Sequence, residues 1–428
     1  MSSSLLFLIA VFLILLFFGV PISITLGFTS IVYLFFFLHI PMTIVIERGV
    51  ASLQSFPIIA VPLFILFAEI MNSGRSTEKI FEFARSVVGH WKGGLGHVNV
   101  LASLIFSGMS GSAMADTAGL GRMEIKAMRD ANYPDGFSAA ITSSSAIIGP
   151  IFPPSIPIIF YAMLSEVSVG ALFMAGILPG IVITIVLMLM VFIISLRNDF
   201  PVEKKFEVKN VIESFLRAFL PLLAPVILIG GIMGGIFTPT ESAAVGVAYA
   251  VILECFVYKG IGWRTLSQIG VRVCTTTGII LFIYVMASIF SWVITLENIP
   301  SFFTQFIETT TDSKIIALLI MILFYLIMGM FLDPMPVLII GVPMFLPIIH
   351  QMGIDPIHFG IITVFATQLG MLTPPVGIGS FIVADIMKIP VRSVFSATVP
   401  FISILLFALV IMALLPGITL LIPHMLGM

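Results

Sequence analysis

Charged residues are scarce throughout this sequence. Asp, Glu, Lys and Arg make up 9% of its 428 residues, and 59% of the residues are hydrophobic. A soluble domain carries roughly 25% charged residues, so this chain has too few charges to cover the surface of a soluble protein of its length. The composition therefore excludes a soluble enzyme and a disordered scaffold. The net charge of −2 also argues against nucleic acid as a partner.

Cysteine is scarce as well, and the common metal and protease motifs are missing. Cys255 and Cys274 both lie in apolar runs, so the sequence predicts neither a structural disulfide nor a cysteine metal cluster. No H-E-x-x-H motif occurs, and the six histidines lie near segment ends or in loops.

Apolar segments recur along the whole length. Residues 168–196 and 393–421 are the clearest, since a spanning helix needs about 20 apolar residues. The sequence therefore predicts an all-α polytopic membrane protein that contacts the lipid bilayer. In 75–92, charged and apolar residues alternate at helical spacing, which predicts an interfacial helix. The polar linker 197–217 carries five basic residues, which favours the cytoplasmic side.

Two segments of the chain repeat one pattern, G-x-x-x-P-P. Residues 149–154 and 370–375 both match it, at an offset of 370 − 149 = 221. Other matches keep this offset or differ from it by three residues. We therefore predict two repeats, one over 1–210 and one over 211–428. Paired Gly/Pro-broken segments in corresponding positions are typical of secondary transporters, and on this ground we expect the repeats to be inverted.

The glycine and proline breaks divide each repeat into a hairpin and a broken helix. The predicted hairpins lie near 94–118 and 313–349, and the predicted broken helices near 136–164 and 356–387. The apolar arms on either side of each hairpin break look too short to span alone. This favours re-entrant hairpins whose tips are buried in protein or water.

The paired prolines affect carbonyl groups four residues earlier, because proline has no N–H to donate to them. The pattern predicts free carbonyls at Gly149, Pro150, Gly370 and Met371. An unsatisfied carbonyl in a bilayer costs several kcal/mol, and a hard cation such as Na⁺ takes oxygen ligands. Two symmetric breaks therefore favour Na⁺ binding. The alternative is a simple kink whose carbonyls accept from Ser or Thr hydroxyls.

Polar residues mark the breaks of both hairpins. Ser112 and Asp333 are again 221 residues apart, and each can cap the second arm of its hairpin. A helix N-terminus carries partial positive charge, so facing tips would favour an anionic substrate. Asp116 lies in an apolar stretch, where an acid is a functional candidate by default. A local hydrogen bond to Thr117 is its alternative role.

Four ordered motifs resemble the large membrane subunit (DctM-like) of TRAP transporters over nearly the whole chain. They are Ser110-Gly111-Ser112 with Asp116, and the segments 148–155, 235–241 and 372–375. The separate large subunit of sialic-acid TRAP systems is especially similar. The resemblance implies a bacterial inner-membrane, Na⁺-driven importer of organic acid anions, of the sialic acid or C4-dicarboxylate class, with an elevator mechanism.

The resemblance also implies partners and sites. The partners are a small membrane subunit, expected as a separate chain, and a periplasmic substrate-binding protein. The first Na⁺ site would comprise Ser110, Ser112, Gly149, Phe152 and Pro153. The symmetric Na⁺ site would comprise Gly329, Phe331, Asp333, Gly370, Thr373 and Val376. The candidate substrate contacts are Asp116, Thr117, Ser155 and Asp333.

Three alternative functions fit the sequence less well. A Na⁺/dicarboxylate symporter without a binding protein would share the paired hairpins, but its Ser-Asn-Thr tip motifs are absent. An anion channel would need no symmetric ion sites. Gly108-Met109-Ser110-Gly111 matches the G-x-S-G pattern of rhomboid-type intramembrane proteases, yet the equivalent Gly329 segment has no serine. The sequence therefore predicts a transporter and not an enzyme.

Overall fold

The computed structural model describes residues 3–198, 200–201 and 206–428, so parts of the polar linker lie outside the described residues. The described chain is helical and contains no β-strand. Its first half comprises α1 (Ser3–Phe17), α2 (Ile22–Phe36), α3 (Met42–Ser52), α4 (Ala60–Ser73), α5 (Ser76–Val88), α6 (Gly94–Ser110), α7 (Ala113–Ala118), α8 (Leu120–Asp130), α9 (Asp135–Ser145), α10 (Ile156–Ser165) and α11 (Val169–Arg197). Its second half comprises α12 (Val208–Met233), α13 (Pro239–Val251), α14 (Trp263–Leu296), α15 (Ile299–Thr310), α16 (Lys314–Phe331), α17 (Pro334–Gln351), α18 (Pro356–Leu372), α19 (Ile378–Met387), α20 (Val391–Leu414) and α21 (Gly417–Met425).

Eight helical segments of the described chain are long and apolar enough to cross a membrane. They are α4 with its preceding 3₁₀ turn, α13 with a following π-helical turn (Ile252–Val257), and α11, α12, α14, α16, α17 and α20. The longest, α14, has 34 residues, or about 51 Å at 1.5 Å per residue, against a hydrocarbon core of about 30 Å. Large apolar side chains such as Phe17 (88% exposed) project from the outer helices, as lipid contact requires. The prediction of an all-α polytopic membrane protein is confirmed.

The helices pack into two groups. We call α1–α4 and α12–α14 the frame bundle, because α4 packs mainly against α13 and α14, and α2 against α14. We call α6–α11 and α16–α21 the hairpin bundle, in which α16 packs against α18, and α20 against α9 and α11. The bundles meet chiefly where α14 contacts α17, and where α4 contacts α6. Two amphipathic helices, α5 and α15, connect them along the chain; α5 falls within the predicted interfacial stretch.

Helix ends in both bundles have local causes. The side chain of Asp355 caps α18 by accepting from the N–H groups of Ile357 (2.7 Å) and His358 (3.3 Å), with a proline as the first helical residue. The motif at 235–241 forms a capping box at the start of α13, in which Thr238 and Glu241 exchange hydrogen bonds. This motif therefore has a structural role.

Two pairs of helices span the ranges of the predicted hairpins, and two pairs span the ranges of the predicted broken helices. α6 and α7 form the first hairpin, and α16 and α17 the second. The first broken helix consists of α9 and α10, and the second of α18 and α19. One expectation was wrong: α16 and α17 have 18 residues each and are long enough to cross a membrane. The sequence did not reveal the length of these helices, because the break between them is only Leu332-Asp333 and the apolar run resumes directly after it. The first hairpin is shorter, since α7 has six residues.

Candidate functional site

The tip of the first hairpin lies against the first broken helix. Gly111 has φ +62°, and a methyl group at this position would lie 2.4 Å from the Pro154 carbonyl oxygen, so only glycine fits. The Ile156 N–H donates to the Gly111 carbonyl (3.3 Å). Ser112 then caps α7 by accepting from the Ala115 N–H (3.4 Å), which confirms its predicted capping role. These contacts fix the hairpin tip on the helix break.

Three predicted residues come together behind this tip. The Ser110 hydroxyl donates to Asp116 Oδ1. Asp116 is 2% exposed, and its Oδ2 has no hydrogen-bond partner within the described chain. A methyl group at position 149 would lie 2.5 Å from this oxygen, so Gly149 leaves the space that the carboxylate occupies. Thr117 does not take part, because its hydroxyl donates to the Ala113 carbonyl (2.8 Å).

This cluster has the donor set of a site for a hard cation. Hydroxyl and carboxylate oxygens meet there, and no hydrogen bond within the described residues ends on the Gly149 carbonyl. None of the ion pairs of the described residues involves Asp116. An unpartnered carboxylate oxygen in a buried site costs free energy unless a proton or a cation reaches it. The residues present therefore fit Na⁺.

The first G-x-x-x-P-P segment is only partly open. The Pro150 carbonyl, which the pattern predicted to be free, accepts from the Ser155 hydroxyl, and Ser155 also caps α10 through the Ile158 N–H (3.2 Å). At this carbonyl the kink alternative is therefore correct: a serine five residues later satisfies it. Phe152 places its ring against Gly180, and Pro153 is buried. Phe152 and Pro153 can offer an ion only their backbone carbonyls.

The second half is built differently at the equivalent positions. A methyl group at Gly370 would lie 2.6 Å from the Leu326 carbonyl oxygen and 2.9 Å from Gly329 Cα, so α16 and α18 touch here through their backbones. The Gly370 carbonyl, also predicted to be free, accepts from the Thr373 N–H (2.8 Å). A carbonyl has two lone pairs, so one remains for another donor or an ion.

The remaining residues of the predicted second site surround this contact. Asp333 caps α17 by accepting from the Met335 N–H (3.1 Å), as predicted. The Thr373 hydroxyl donates to the Leu369 carbonyl (2.8 Å). Phe331 and Val376 are 51% and 37% exposed, respectively, so their side chains point away from the core. Pro374, Pro375 and Val376 are exposed, whereas the first break is buried apart from the half-buried Phe152, so the break of the second helix is more open.

A cavity of about 410 Å³ lies where both hairpin breaks, both broken helices and the frame bundle meet. Ser110, Ser112 and Asp333 line it, whereas Asp116, Thr117 and Ser155 do not. Those three are at most 3% exposed and lie behind the cavity wall. The predicted substrate contacts thus separate into one residue at the cavity, Asp333, and three beneath its wall.

Sequence reasoning missed several polar residues of this cavity. Gln368 lies on α18 and is 2% exposed, and its Oε1 has no hydrogen-bond partner in the described chain. Glu69 and Asn72 on α4 and Thr276 on α14 contribute from the frame bundle. Gln368 lies two residues before the predicted Gly370, and Glu69 and Asn72 are one turn apart on an apolar helix. Both signals were visible in the sequence.

The cavity is electrostatically unusual for an anion site. The described residues that line it include the acids Asp333 and Glu69 and no Lys, Arg or His. Arg272 pairs with Glu69 at 3.3 Å from outside the lining. The first residues of α10 and α17 also line the cavity, and the N-termini of these helices supply partial positive charge. Asp333 has no basic partner among the ion pairs of the described chain.

A buried polar network supports the first hairpin. Asn99 on α6 donates to Glu124 Oε2 on α8 and to the Thr142 hydroxyl on α9, both at 2.8 Å. The Ser145 hydroxyl donates to Asn99 Oδ1 (2.7 Å), and Ser103 donates to Ser145 (3.0 Å). This network ties the hairpin to the helix that leads into Gly149, so it fixes the distance between Ser110 and the break.

At the far end of α8, a surface contact joins the two halves of the chain. The Arg129 guanidinium pairs with Asp135 (2.7 Å), and this hydrogen bond raises the pKa of Arg129. The same guanidinium donates to the Met387 carbonyl at the end of α19 (2.8 Å). The two broken helices are therefore connected on this face as well.

Comparisons with known proteins agree with this architecture. The fold is similar to the crystal structure of the YdaH transporter of Alcanivorax borkumensis, with a TM-score of 0.64 and 13% identity over 97% of this chain and 98% of that one. At this identity the likeness concerns the fold alone.

Sequence comparisons are more specific. The chain is 38% identical over 411 residues to the sialic acid TRAP transporter large permease protein SiaM of Vibrio cholerae, which covers 96% of each chain. It is 39% identical to the sialic acid TRAP permease SiaT of Haemophilus influenzae, over 99% of this chain and 69% of that one. It is 33% identical to the C4-dicarboxylate TRAP large permease DctM of Pseudomonas aeruginosa, over 88% of each.

The family model of the DctM component of tripartite ATP-independent periplasmic transporters matches residues 9–418. Because the relatives are permeases, the chain is a multi-pass transporter subunit for organic acids and not an enzyme. The chain belongs to the DctM family, the large membrane subunits of TRAP transporters.

Proposed function

We propose that this chain carries an organic acid anion across the bacterial inner membrane together with Na⁺, by an elevator movement of the hairpin bundle against the frame bundle. The observation that carries the proposal is the composition of the cavity. Asp333 enters it without a basic partner, and Asp116, whose Oδ2 has no hydrogen-bond partner in the described chain, lies beneath its wall. A substrate carboxylate would meet negative charge there unless cations were bound at the same time.

Cation binding would therefore favour substrate binding through electrostatics. At an effective dielectric constant of 20, two unit charges 4 Å apart interact by about 4 kcal/mol. A cation held by the oxygens of Ser110, Asp116 and Gly149 would offset the Asp116 carboxylate. A second one near Asp333 and the Gly370 carbonyl would offset Asp333. The N-termini of α10 and α17 then supply donors for an anion.

The relatives support a proposal for the substrate and the partners. Those at 38% and 39% identity are named as sialic acid permeases, so we propose sialic acid as the first substrate to test, with C4-dicarboxylates second. We further propose that a small membrane subunit and a periplasmic substrate-binding protein work with this chain, as the family name implies.

Reconstituted uptake tests the coupling. Proteoliposomes would contain this chain with its small membrane subunit, with the binding protein and labelled sialic acid outside. Uptake should be lost when Na⁺ is replaced by choline. Equal uptake driven by a proton gradient in the absence of Na⁺ would refute Na⁺ coupling. Rapid uptake by the purified chain without partners would favour the symporter alternative.

A further inference from the structure

Glu254 is a buried carboxylate of the frame bundle, remote in sequence from the hairpin sites. It lies in the π-helical turn Ile252–Val257 and is 0% exposed. Its Oε2 accepts from the Arg75 N–H (2.8 Å), and its Oε1 accepts from the Ser76 N–H (3.0 Å) and the Ser76 hydroxyl. None of the ion pairs of the described chain involves Glu254. These donors therefore balance its charge.

The backbone donors are the N–H of Ser76, the first residue of α5, and the N–H of Arg75 just before it. Such groups have no partner inside the helix, and the residue before α5, Arg75, supplies no side-chain cap. Glu254 takes this role from 178 residues away in the chain. The partial positive charge of the helix N-terminus adds to the attraction. The first turn of α5 is thus held by the second half of the molecule.

Two glycines make room for this contact. A methyl group at Gly74 would lie 2.1 Å from Glu254 Cδ and Oε2. A methyl group at Gly260 would lie 3.2 Å from Oε2 and 3.4 Å from the Arg75 nitrogen. The Gly260 N–H also donates to the Glu254 carbonyl (2.8 Å), which holds the turn in place. The carboxylate therefore occupies a slot that excludes other side chains.

Further contacts fix α5 to the frame bundle along its length. The Lys79 ammonium lies 4.6 Å from the centre of the Tyr258 ring. Near the other end, the Ser86 and Ser214 hydroxyls are 2.7 Å apart. The next change in backbone direction comes after α5, where Gly93 has φ +72° just before α6. α5 also packs against α6 of the hairpin bundle, so a turn at Gly93 would change the packing of α5 on α6 but not the Glu254 contact.

We infer that Glu254 is a positioning residue for transport: it fixes the start of α5 to the frame bundle, so that the hairpin bundle moves about the glycine connection 89–94. The inference rests on the proposed elevator movement. Without this anchor, α5 would shift with the hairpin bundle, and the bundle would cross the membrane more slowly. The ion and substrate sites would keep their affinity, because Glu254 contacts neither.

Hydrogen–deuterium exchange and uptake test the inference together. Glu254→Gln keeps the size but replaces an accepting oxygen with a donor amide. We expect about tenfold faster exchange in the segment 74–80 of the full chain, since charge-assisted hydrogen bonds are lost. The maximal uptake rate should fall several-fold, whereas the Na⁺ and substrate concentrations for half-maximal uptake should not change. Ser76→Ala should shift both readouts less, in the same direction.

Glu78→Gln is the matched control, because it removes an exposed charge from the same helical turn without a bond to Glu254. It should change neither readout. Unchanged exchange in Glu254→Gln would overturn the anchor. Two results would overturn the positioning role. One is faster exchange with an unchanged maximal uptake rate. The other is a change in the Na⁺ or substrate concentration for half-maximal uptake that is as large as the change in maximal rate. If the Glu254→Gln protein does not accumulate in the membrane, the exchange and uptake of Ser76→Ala test the inference by the same outcomes. If the wild type shows no Na⁺-dependent uptake, the proposed function fails, and exchange still tests the anchor.

Discussion

The contact between Ser110 and Asp116 predicts how Na⁺ dependence changes when the charge at position 116 is removed. Asp116→Asn keeps the shape of the side chain and an oxygen that can accept from the Ser110 hydroxyl. The negative charge of the oxygen that faces Gly149 is lost. A hydrogen bond to a charged group contributes about 1.5–3 kcal/mol, and a neutral one about 0.5–1.5 kcal/mol. Because the Asn oxygen remains a ligand, this difference of about 1–1.5 kcal/mol is the smallest expected loss of Na⁺ binding free energy, and the Coulomb energy of about 4 kcal/mol is the largest.

This loss of free energy lowers the affinity for Na⁺. At 1.4 kcal/mol for each factor of ten, the smallest expected loss raises the Na⁺ concentration for half-maximal uptake roughly 5- to 12-fold. Uptake would be measured in proteoliposomes at saturating substrate while Na⁺ is varied. Asp385→Asn is a suitable control, since it removes an acid that is 80% exposed on the same bundle. It should shift the half-saturating Na⁺ concentration less than about twofold.

A double-mutant cycle shows whether Asp116 acts through Ser110. If it does, Ser110→Ala with Asp116→Asn should be no worse than Ser110→Ala alone, because the contact is already broken. Effects that multiply in the double mutant would mean that the two residues act independently. Unchanged Na⁺ dependence in Asp116→Asn, at normal membrane levels, would refute the reasoning that places a cation in this cluster.

Two further predictions concern the cavity. Asp333→Asn keeps the cap on α17 but removes the charge, so the half-saturating Na⁺ concentration should rise several-fold. Ser112→Ala should raise it less. Unchanged Na⁺ dependence in both variants would mean that these residues are only helix caps. Gln368→Ala removes from the cavity wall an amide whose Oε1 has no partner in the described chain, so the half-saturating substrate concentration should rise several-fold at constant Na⁺ dependence. A change confined to the maximal rate would contradict a substrate contact at Gln368.

Local signals predicted much of the fold. The hairpin and helix breaks lie where glycine and proline interrupt apolar runs, because these residues disrupt backbone hydrogen bonding within a few positions. The caps at Ser112 and Asp333 follow from the same local chemistry. The carbonyl predictions were less successful. The Ser155 hydroxyl donates to the Pro150 carbonyl. The sequence shows that a serine is nearby, but it does not show which carbonyl accepts from this serine.

Contacts between distant segments could not be predicted from a single sequence. Glu254 caps a helix 178 residues away, and no local pattern distinguishes it from an acid at a segment end. The contacts of Asp116 could not be predicted from the sequence either. Its position in an apolar stretch indicated a buried acid, but only the fold shows that it faces Ser110 and Gly149 beneath the cavity wall. Sequence symmetry likewise did not reveal that the two helix breaks are packed differently.

This difference in packing gives a prediction about two glycines at equivalent positions of the repeats. At Gly149 a methyl group would displace the flexible carboxylate of Asp116, so Gly149→Ala should fold and raise the half-saturating Na⁺ concentration, as Asp116→Asn does. At Gly370 the same methyl group would meet the backbone of α16, which cannot move without separating two helices. Gly370→Ala should therefore lower the amount of folded protein in detergent, measured by size-exclusion chromatography. Gly278→Ala, where the site is open, should leave it unchanged. Equal membrane levels and equal Na⁺ dependence in the Gly149 and Gly370 variants would show that the two breaks are equivalent after all.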